Sequence, residues 1–245
     1  MKLLIVVSVF LVFNSCVEEP TPPNIIYILA DDLGYGEIGA YGQEIIETPN
    51  IDALAKNGML FTQHYSGSPV CAPSRSVLLT GLHTGHTYIR GNDEWKERGE
   101  VWDYEAVLND QNLEGQRPLP DSIKTFAELI QEYGYKTAFV GKWGLGAPGT
   151  EGVPTNQGFN YFFGYNCQRQ AHTLFPMHLW ENEKKILLNN RLIAPHSNLE
   201  IGSDPNNPDS YSSFTSNEYA PDLMHDKAVE FIESNINNPF FLLYA

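Results

Sequence analysis

One of the three cysteines of this 245-residue chain stands where a helix is predicted to begin. In Cys71-Ala72-Pro73-Ser74-Arg75 the proline suits a first helical turn, and an apolar run follows. A helix N-terminus stabilises thiolates and other anions, and the planar guanidinium of arginine matches sulfate or phosphate oxygens. These residues therefore indicate an anion site, although taken alone they also suit a buried structural cysteine.

Two adjacent carboxylates, Asp31 and Asp32, follow the apolar run 24–30. Ligands of parallel α/β sheets gather at the carboxyl ends of the strands. Adjacent residues of a regular strand point to opposite faces, so both carboxylates converge only if the backbone bends, which Gly34 and Gly36 permit. Such oxygen ligands suit Ca²⁺ or Mg²⁺; the alternative is a solvated acidic turn or a helix cap.

Lys142 follows a predicted strand that ends at Val140. If that strand is parallel to the first one, the ammonium group enters the same crevice as the two carboxylates. The alternative is a surface lysine beside a packed Trp143.

Strand-like and helical patterns alternate along the chain. The predicted strands are the apolar runs 24–30, 59–65, 136–140 and 239–245. The predicted helices begin after Thr48, at Pro73, after Asp121-Ser122 and near Met224. The first of these helices ends at Gly58 and the third at Gly134. The continuous apolar character of 24–30 predicts a parallel strand buried on both faces. Residues 81–120 show no strong period, and 145–220 form a long, partly irregular excursion. The alternation predicts an α/β sandwich around a largely parallel sheet.

The composition excludes one class of partner. Hydrophobic residues make up 42% of the chain, enough for a sizeable core, and 15 basic against 30 acidic residues give a net charge of −15. A nucleic-acid-binding protein needs a concentrated basic face, so no nucleic acid is expected. The acidic balance suits an exported protein and tolerates a bound divalent cation.

The N-terminus has the pattern of an export signal. The apolar run 3–13 behind Lys2 is too short to span a bilayer. It ends before Cys16 and resembles a lipoprotein signal, which predicts a signal peptide 1–16 with a lipidated Cys16, a Pro-containing tether 17–23 and a catalytic domain 24–245. The alternative is ordinary cleavage nearby. The expected location is the periplasm or outer surface of a bacterium, with membrane attachment only through the lipid.

Several segments together resemble the type I, formylglycine-dependent sulfatases. CAPSRSVLLTG is similar to the first signature of that family, and GYKTAFVGKW to the second. NIIYILADDLGYGEIGAYG, TPNIDALAKNGMLFTQHYS and TGLHTGHTYIRGN match its early region, so the similarity covers residues 24 to about 165. The resemblance implies an alkaline-phosphatase-like sandwich with a largely parallel mixed sheet.

The resemblance also implies a chemistry. A maturing enzyme converts Cys71 to Cα-formylglycine; one hydroxyl of the aldehyde hydrate attacks sulfur, and the other lets the sulfated diol collapse and expel sulfate. By the same resemblance Asp31, Asp32 and the modified Cys71 hold Ca²⁺, with Mg²⁺ as the alternative. Arg75 stabilises the modified residue, and Lys142 contacts the sulfate and the leaving oxygen.

Two departures from the family pattern bear on the site. Gly144 stands two residues after the lysine, where the family usually has a histidine. We expect His172 to take part of that role; otherwise it is a loop histidine that contacts backbone or substrate. The family also draws metal ligands, a histidine and a lysine from beyond position 245, so the sequence is expected to be the N-terminal portion of a longer protein and inactive or weakly active alone. Cys167 is expected to be a buried thiol, although export permits a disulfide with Cys71.

The expected function is hydrolysis of sulfate esters of a carbohydrate. The alternatives are a phosphodiesterase or phosphonate monoester hydrolase of the same superfamily, and a non-catalytic surface protein that binds sulfated glycans. Trp180 and the aromatic residues of 159–165 suit either sugar stacking or the core.

Overall fold

The computed structural model describes residues 21–245. The predicted signal segment 1–16, the predicted lipidation at Cys16 and most of the predicted tether lie outside the described residues. Between residues 21 and 245, no helix combines the length and apolar character needed to cross a bilayer.

A six-stranded mixed sheet forms the centre of the fold. Its strands are β1 (Ile25–Ile28), β2 (Lys136–Lys142), β3 (Tyr161–Tyr165), β4 (His178–Glu181), β5 (Lys184–Leu187) and β6 (Phe240–Tyr244). They lie in the order β1-β6-β2-β3-β4-β5. The first three pairings are parallel, and β3–β4 and β4–β5 are antiparallel. The prediction of a largely parallel mixed sheet is therefore confirmed.

Within residues 21–245, five α-helices accompany the sheet: α1 (Pro49–Asn57), α2 (Cys71–Thr80), α3 (Tyr104–Asn109), α4 (Phe126–Glu132) and α5 (Ala220–Ser234). The first one starts behind Thr48 and stops at Gly58, as predicted. The fourth begins behind Thr125, not behind Asp121-Ser122. The reason is a capping box in which the Glu128 amide donates to the Thr125 hydroxyl at 3.3 Å, and the Thr125 amide donates to the Glu128 carboxylate at 2.6 Å.

Helices cover both faces of the sheet. On one face, residues of α2 and α4 join Phe139, Trp143 and Phe159 in one apolar core. On the other, α5 buries Met224 and Phe231 against alternate residues of the same strands. The molecule is thus a three-layer α/β sandwich, and the carboxyl ends of β1, β2 and β6 meet at one edge.

Two strand predictions need correction. The strand β1 is parallel, as predicted, but not buried on both faces: it is an edge strand in the described sheet, with Ile26 and Ile28 exposed to 49% and 65%. Residues 59–65 form no strand in the described structure. A strand needs a neighbour that satisfies its amide and carbonyl groups, and no described segment pairs with 59–65.

The excursion 145–220 holds more regular structure than its composition indicated. It contributes β3 and the hairpin β4–β5, whose turn places Asn182 in the left-handed region at φ 53°. Trp180 and the aromatic residues Phe159, Phe162 and Phe163 are buried, so they belong to the core and do not stack on sugars.

Candidate functional site

Cys71 is the first residue of α2, at the positive end of the helix dipole. Val70 before it offers no capping side chain, and the Ala72 amide instead donates to Asn92 Oδ1 at 3.0 Å. Asn92 was not predicted as a site residue, because it lies 20 residues from Ala72 in a segment without a strong period. Its side chain fixes the first turn of α2, and so the position of Cys71.

Asp31 and Asp32 follow β1 in a turn that redirects the chain. The predicted bend is present, but it lies at Asp32 itself, which has a φ of 58°. Asp is one of the few non-glycine residues that tolerate this left-handed conformation. The turn brings both carboxylates to the edge of the sheet, where they line two adjoining cavities of about 440 and 190 Å³.

Lys142 and Arg75 converge on Asp31. The Lys142 ammonium donates to Asp31 Oδ2 and lies 3.5 Å from Cys71 Sγ. Arg75 Nη2 lies 3.5 Å from Asp31 Oδ1, and Arg75 Nη1 donates to the Lys142 carbonyl. Arg75 and Lys142 are only 3% and 6% exposed. Three chain segments therefore place two buried cations and a carboxylate beside the cysteine.

The two cations set the ionisation of Asp31. Burial alone raises the pKa of this carboxyl, but the hydrogen bond and charge of Lys142, together with Arg75, hold the pKa below its usual range. Burial lowers the pKa of Arg75, and the charges of Asp31, Cys71 and Asp32 oppose that effect. An arginine stays charged in either case. Its Nη2 faces Asp31, and its buried Nε has no hydrogen-bond acceptor among the described residues, which leaves one donor for an anion.

His172, which lies in the irregular segment 145–220, faces this cleft. It lies on the short 3₁₀ segment Gln170–Thr173 and lines the larger cavity together with Asp31, Arg75 and Lys142. Its ring centroid is 4.9 Å from that of His196. Burial, Lys142 and His196 lower the pKa of His172, partly offset by Asp31 and Asp32. The imidazole is therefore neutral at neutral pH and available as a hydrogen-bond partner.

Gly144 adopts a backbone conformation that would be strained for a histidine. Its φ is 76°, and its amide donates to the Asn166 carbonyl at 3.2 Å. A Cβ atom here would meet the buried Gln168 Oε1 at 3.1 Å. The absence of a histidine at position 144 is thus matched by a local backbone conformation that favours glycine.

A side chain at position 144 should lower the stability of the fold. Gly144→Ala should lower the free energy of unfolding by about 1–3 kcal/mol, because this backbone conformation is unfavourable for a non-glycine residue. Gly149→Ala is the matched control, since Gly149 has a similar φ of 71° with open space around its Cα. Denaturant unfolding should show the larger loss for Gly144→Ala. Equal losses would mean that the contact with Gln168 costs nothing.

Cys167 is buried and, like Cys71, a free thiol. The structure therefore shows the expected buried thiol and no disulfide with Cys71. Gln116 Nε2 lies 3.6 Å and Glu94 Oε2 3.7 Å from its sulfur. Burial raises the pKa of this thiol, which keeps it protonated and unreactive.

Asp31 and Asp32 are the described residues whose side chains could contribute to a metal site. Within 21–245 there is no group of three or more His, Cys, Asp or Glu side chains arranged to hold a metal ion. Asp31 and Asp32 offer oxygen donors of the type that Ca²⁺ prefers, but Ca²⁺ takes six to eight oxygens. The two aspartates fit the cation in donor type and cover only a fraction of its ligand shell.

Comparison of the chain with known proteins identifies its family. The profile of the family described as Sulfatase matches residues 23–245. Human arylsulfatase D is 39% identical over 147 residues, which cover 58% of this chain and 23% of that protein.

Solved structures give the same result for the fold. The structure of Ps i-CgsB in complex with κ-ι-κ-neocarrahexaose is 27% identical with a TM-score of 0.61, and covers 91% of this chain and 44% of its own. The structure of BT4656 in complex with its substrate D-glucosamine-2-N,6-O-disulfate is 26% identical with a TM-score of 0.59, and covers 91% of this chain and 33% of its own.

These similarities confirm the alkaline-phosphatase-like sandwich. The chain spans less than half the length of each of the proteins compared above. Because the family profile extends over nearly every described residue, including the cysteine, the two aspartates and the lysine that meet in the cleft, the chain belongs to the sulfatase family.

Proposed function

We propose that the full-length protein is a sulfuric ester hydrolase that removes sulfate from a sulfated carbohydrate. The observation that carries the proposal is the placement of Cys71 at a helix N-terminus, 3.5 Å from the buried Lys142 ammonium. A cysteine that only packed in a core would not need a buried cation beside it.

Cys71 is the residue we propose for conversion to formylglycine by a separate maturing enzyme. The hydrated aldehyde supplies the nucleophile for sulfur and the means to expel sulfate afterwards. The chain's own residues would bind and orient the ester: the unpaired Nε of Arg75 is a donor for anionic oxygens, and Lys142 would stabilise charge on the leaving oxygen.

Asp31 and Asp32 are the described residues that would hold Ca²⁺ or Mg²⁺. Such a cation supplies neutralising charge for sulfate oxygens. Asp31 also holds the two positively charged side chains in position, because it contacts both Lys142 and Arg75. Asp31 thus has a structural task in the cleft in addition to its proposed task as a ligand.

The carbohydrate part of the proposal is supported by two of the similar structures, which are complexes with κ-ι-κ-neocarrahexaose and with D-glucosamine-2-N,6-O-disulfate. Export and lipid attachment at Cys16 remain proposals based on the N-terminal sequence. Hydrolysis of phosphate esters is the competing activity that the same anion site could support, so the test includes it.

The test uses the full-length protein, produced together with a sulfatase-maturing enzyme. We expect turnover of an aryl sulfate well above that of the matching aryl phosphate. The mass of the peptide that spans Cys71 should show the aldehyde in place of the thiol. Removal of divalent cations with a chelator should abolish turnover, and Ca²⁺ should restore it. A protein with verified aldehyde and cation that hydrolyses only the phosphate ester would contradict the proposal.

His172 should contribute to the reaction as a proton-handling or hydrogen-bonding group. His172→Ala should lower kcat by about 10²-fold, a typical loss for such a group. His225→Ala, an exposed histidine on α5, is the control and should retain full turnover. Normal turnover of His172→Ala would reject this role.

The pH profile should also depend on His172. Its pKa lies below the ordinary value of 6.5, so the neutral imidazole is lost only when the pH falls through that lowered pKa. The acidic limb of the kcat profile should therefore lie below pH 6.5 in the wild type and change shape in His172→Ala. An acidic limb identical in both proteins would assign it to another group.

A further inference from the structure

The irregular part of the excursion forms a shallow depression that the candidate site does not use. Its lining residues combine aromatic, amide, hydroxyl and aliphatic side chains: Ser197, Asn198, Leu199, Tyr211 and Phe214. The depression is open to solvent, with a volume of about 560 Å³. None of these residues belongs to a family motif in the sequence.

The depression is linked to the catalytic cleft through one pair of histidine rings. The ring of His196 contacts that of His172, which lines the cleft, and Ser197 directly follows His196. His196 has a φ of 62°, and the Ser197 hydroxyl closes this turn by donating to the Ala194 carbonyl at 2.7 Å. The turn therefore places His196 against the His172 ring and the next residue, Ser197, in the lining of the depression.

The lining suits an uncharged sugar. The Tyr211 and Phe214 ring centroids are 6.3 Å apart, and the Tyr211 hydroxyl, by donating to the Pro205 carbonyl at 3.0 Å, holds its half-exposed ring in place. Aromatic rings pack against the apolar faces of sugar rings. The exposed Asn198 amide lines the depression and can pair with sugar hydroxyls. No lysine or arginine is among the lining residues. Arg191 Nη2 donates to the Ser212 and Thr215 carbonyls beside Phe214, so the lining itself offers no cation to a sulfate group.

We propose that this depression is a subsite for the sugar unit next to the sulfated one, and that this neighbouring unit is unsulfated at the face it presents. The proposal rests on the proposed function. It assigns the enzyme to oligosaccharide substrates, because a lone sulfated sugar in the cleft would leave the depression empty.

The test compares ligands of increasing length on the full-length, matured protein. Calorimetry measures Kd for a glucosamine-sulfate series and a carrageenan series, each from the monosaccharide upward, and an aryl sulfate assay gives KM for a ligand too short to reach the depression. We expect at least one series to bind several-fold more tightly once a second sugar is added. Tyr211→Ala should lose about three- to tenfold of that affinity, with the aryl sulfate KM unchanged.

The control variants separate the ring from its surroundings. Tyr211→Phe keeps the ring and should bind as the wild type does. Tyr133→Ala removes an 82% exposed tyrosine at the end of α4 and should change nothing. If Tyr211→Ala fails to fold, Asn198→Ala replaces it, with the same expected loss for the longer ligand alone.

Two outcomes would overturn the subsite: a wild type that gains no affinity from added sugars in either series, or a Tyr211→Ala variant that binds the longer ligands unchanged. Failure of the proposed function is a separate result. It would appear as an absence of sulfate-ester turnover with the aldehyde verified, while the binding measurements would still decide on the subsite.

Discussion

Replacing Cys71 with alanine should reduce sulfate-ester turnover of the full-length protein by at least about 10³-fold. Alanine cannot be converted to the aldehyde, so the proposed nucleophile is absent, whereas binding through Arg75 and Lys142 remains. Loss of a covalent catalyst typically removes several orders of magnitude from kcat. The measurement is kcat for an aryl sulfate, with the variant purified from a separate strain to exclude wild-type contamination.

Cys167→Ala is the matched control for this experiment. Cys167 is the other free cysteine of the described chain, and it is fully buried beside Glu94 and Gln116. Its replacement should cost about 1 kcal/mol of stability through lost packing, with kcat nearly unchanged. A chain in which Cys71→Ala retained turnover and Cys167→Ala lost it would require a different nucleophile from the one proposed.

Replacing Lys142 with methionine should lower kcat/KM by about 10²–10³-fold. Methionine keeps much of the side-chain volume on β2 but removes the charge that lies 3.5 Å from the Cys71 sulfur. A preorganised donor next to developing negative charge is typically worth this factor. The loss should fall mainly on kcat, because the charge on the leaving oxygen develops in the transition state.

Lys136→Met tests whether position on the strand decides the effect. Lys136 lies at the opposite, exposed end of β2, far along the same strand from the cleft. It should retain full turnover and differ little in melting temperature. If Lys142→Met instead unfolded the protein at the assay temperature, circular dichroism would show it, and Lys142→Arg would test the charge with the fold intact.

The regular parts of the fold could be predicted because their patterns are long and local. The apolar runs that became β2 and β6, and the spacing of Met224, Ala228 and Phe231 that became α5, carry their own periodicity. Residues 59–65 have an equally good strand pattern but lack a pairing partner among the described residues. Conversely, the hairpin of β4 and β5 was missed because its strands are four residues each.

The chemical groups of the site can be read from short motifs, because Cys71 lies close to Arg75 and Asp31 is adjacent to Asp32 in the chain. How these groups meet depends on the tertiary fold: the bonds from Lys142 to Asp31 and from Arg75 to the Lys142 carbonyl join residues 111 and 67 positions apart. The same holds for the ring contact of His172 with His196 and for the cap that Asn92 provides. Contacts of this kind form only when distant segments pack on one sheet edge, and no local pattern encodes them.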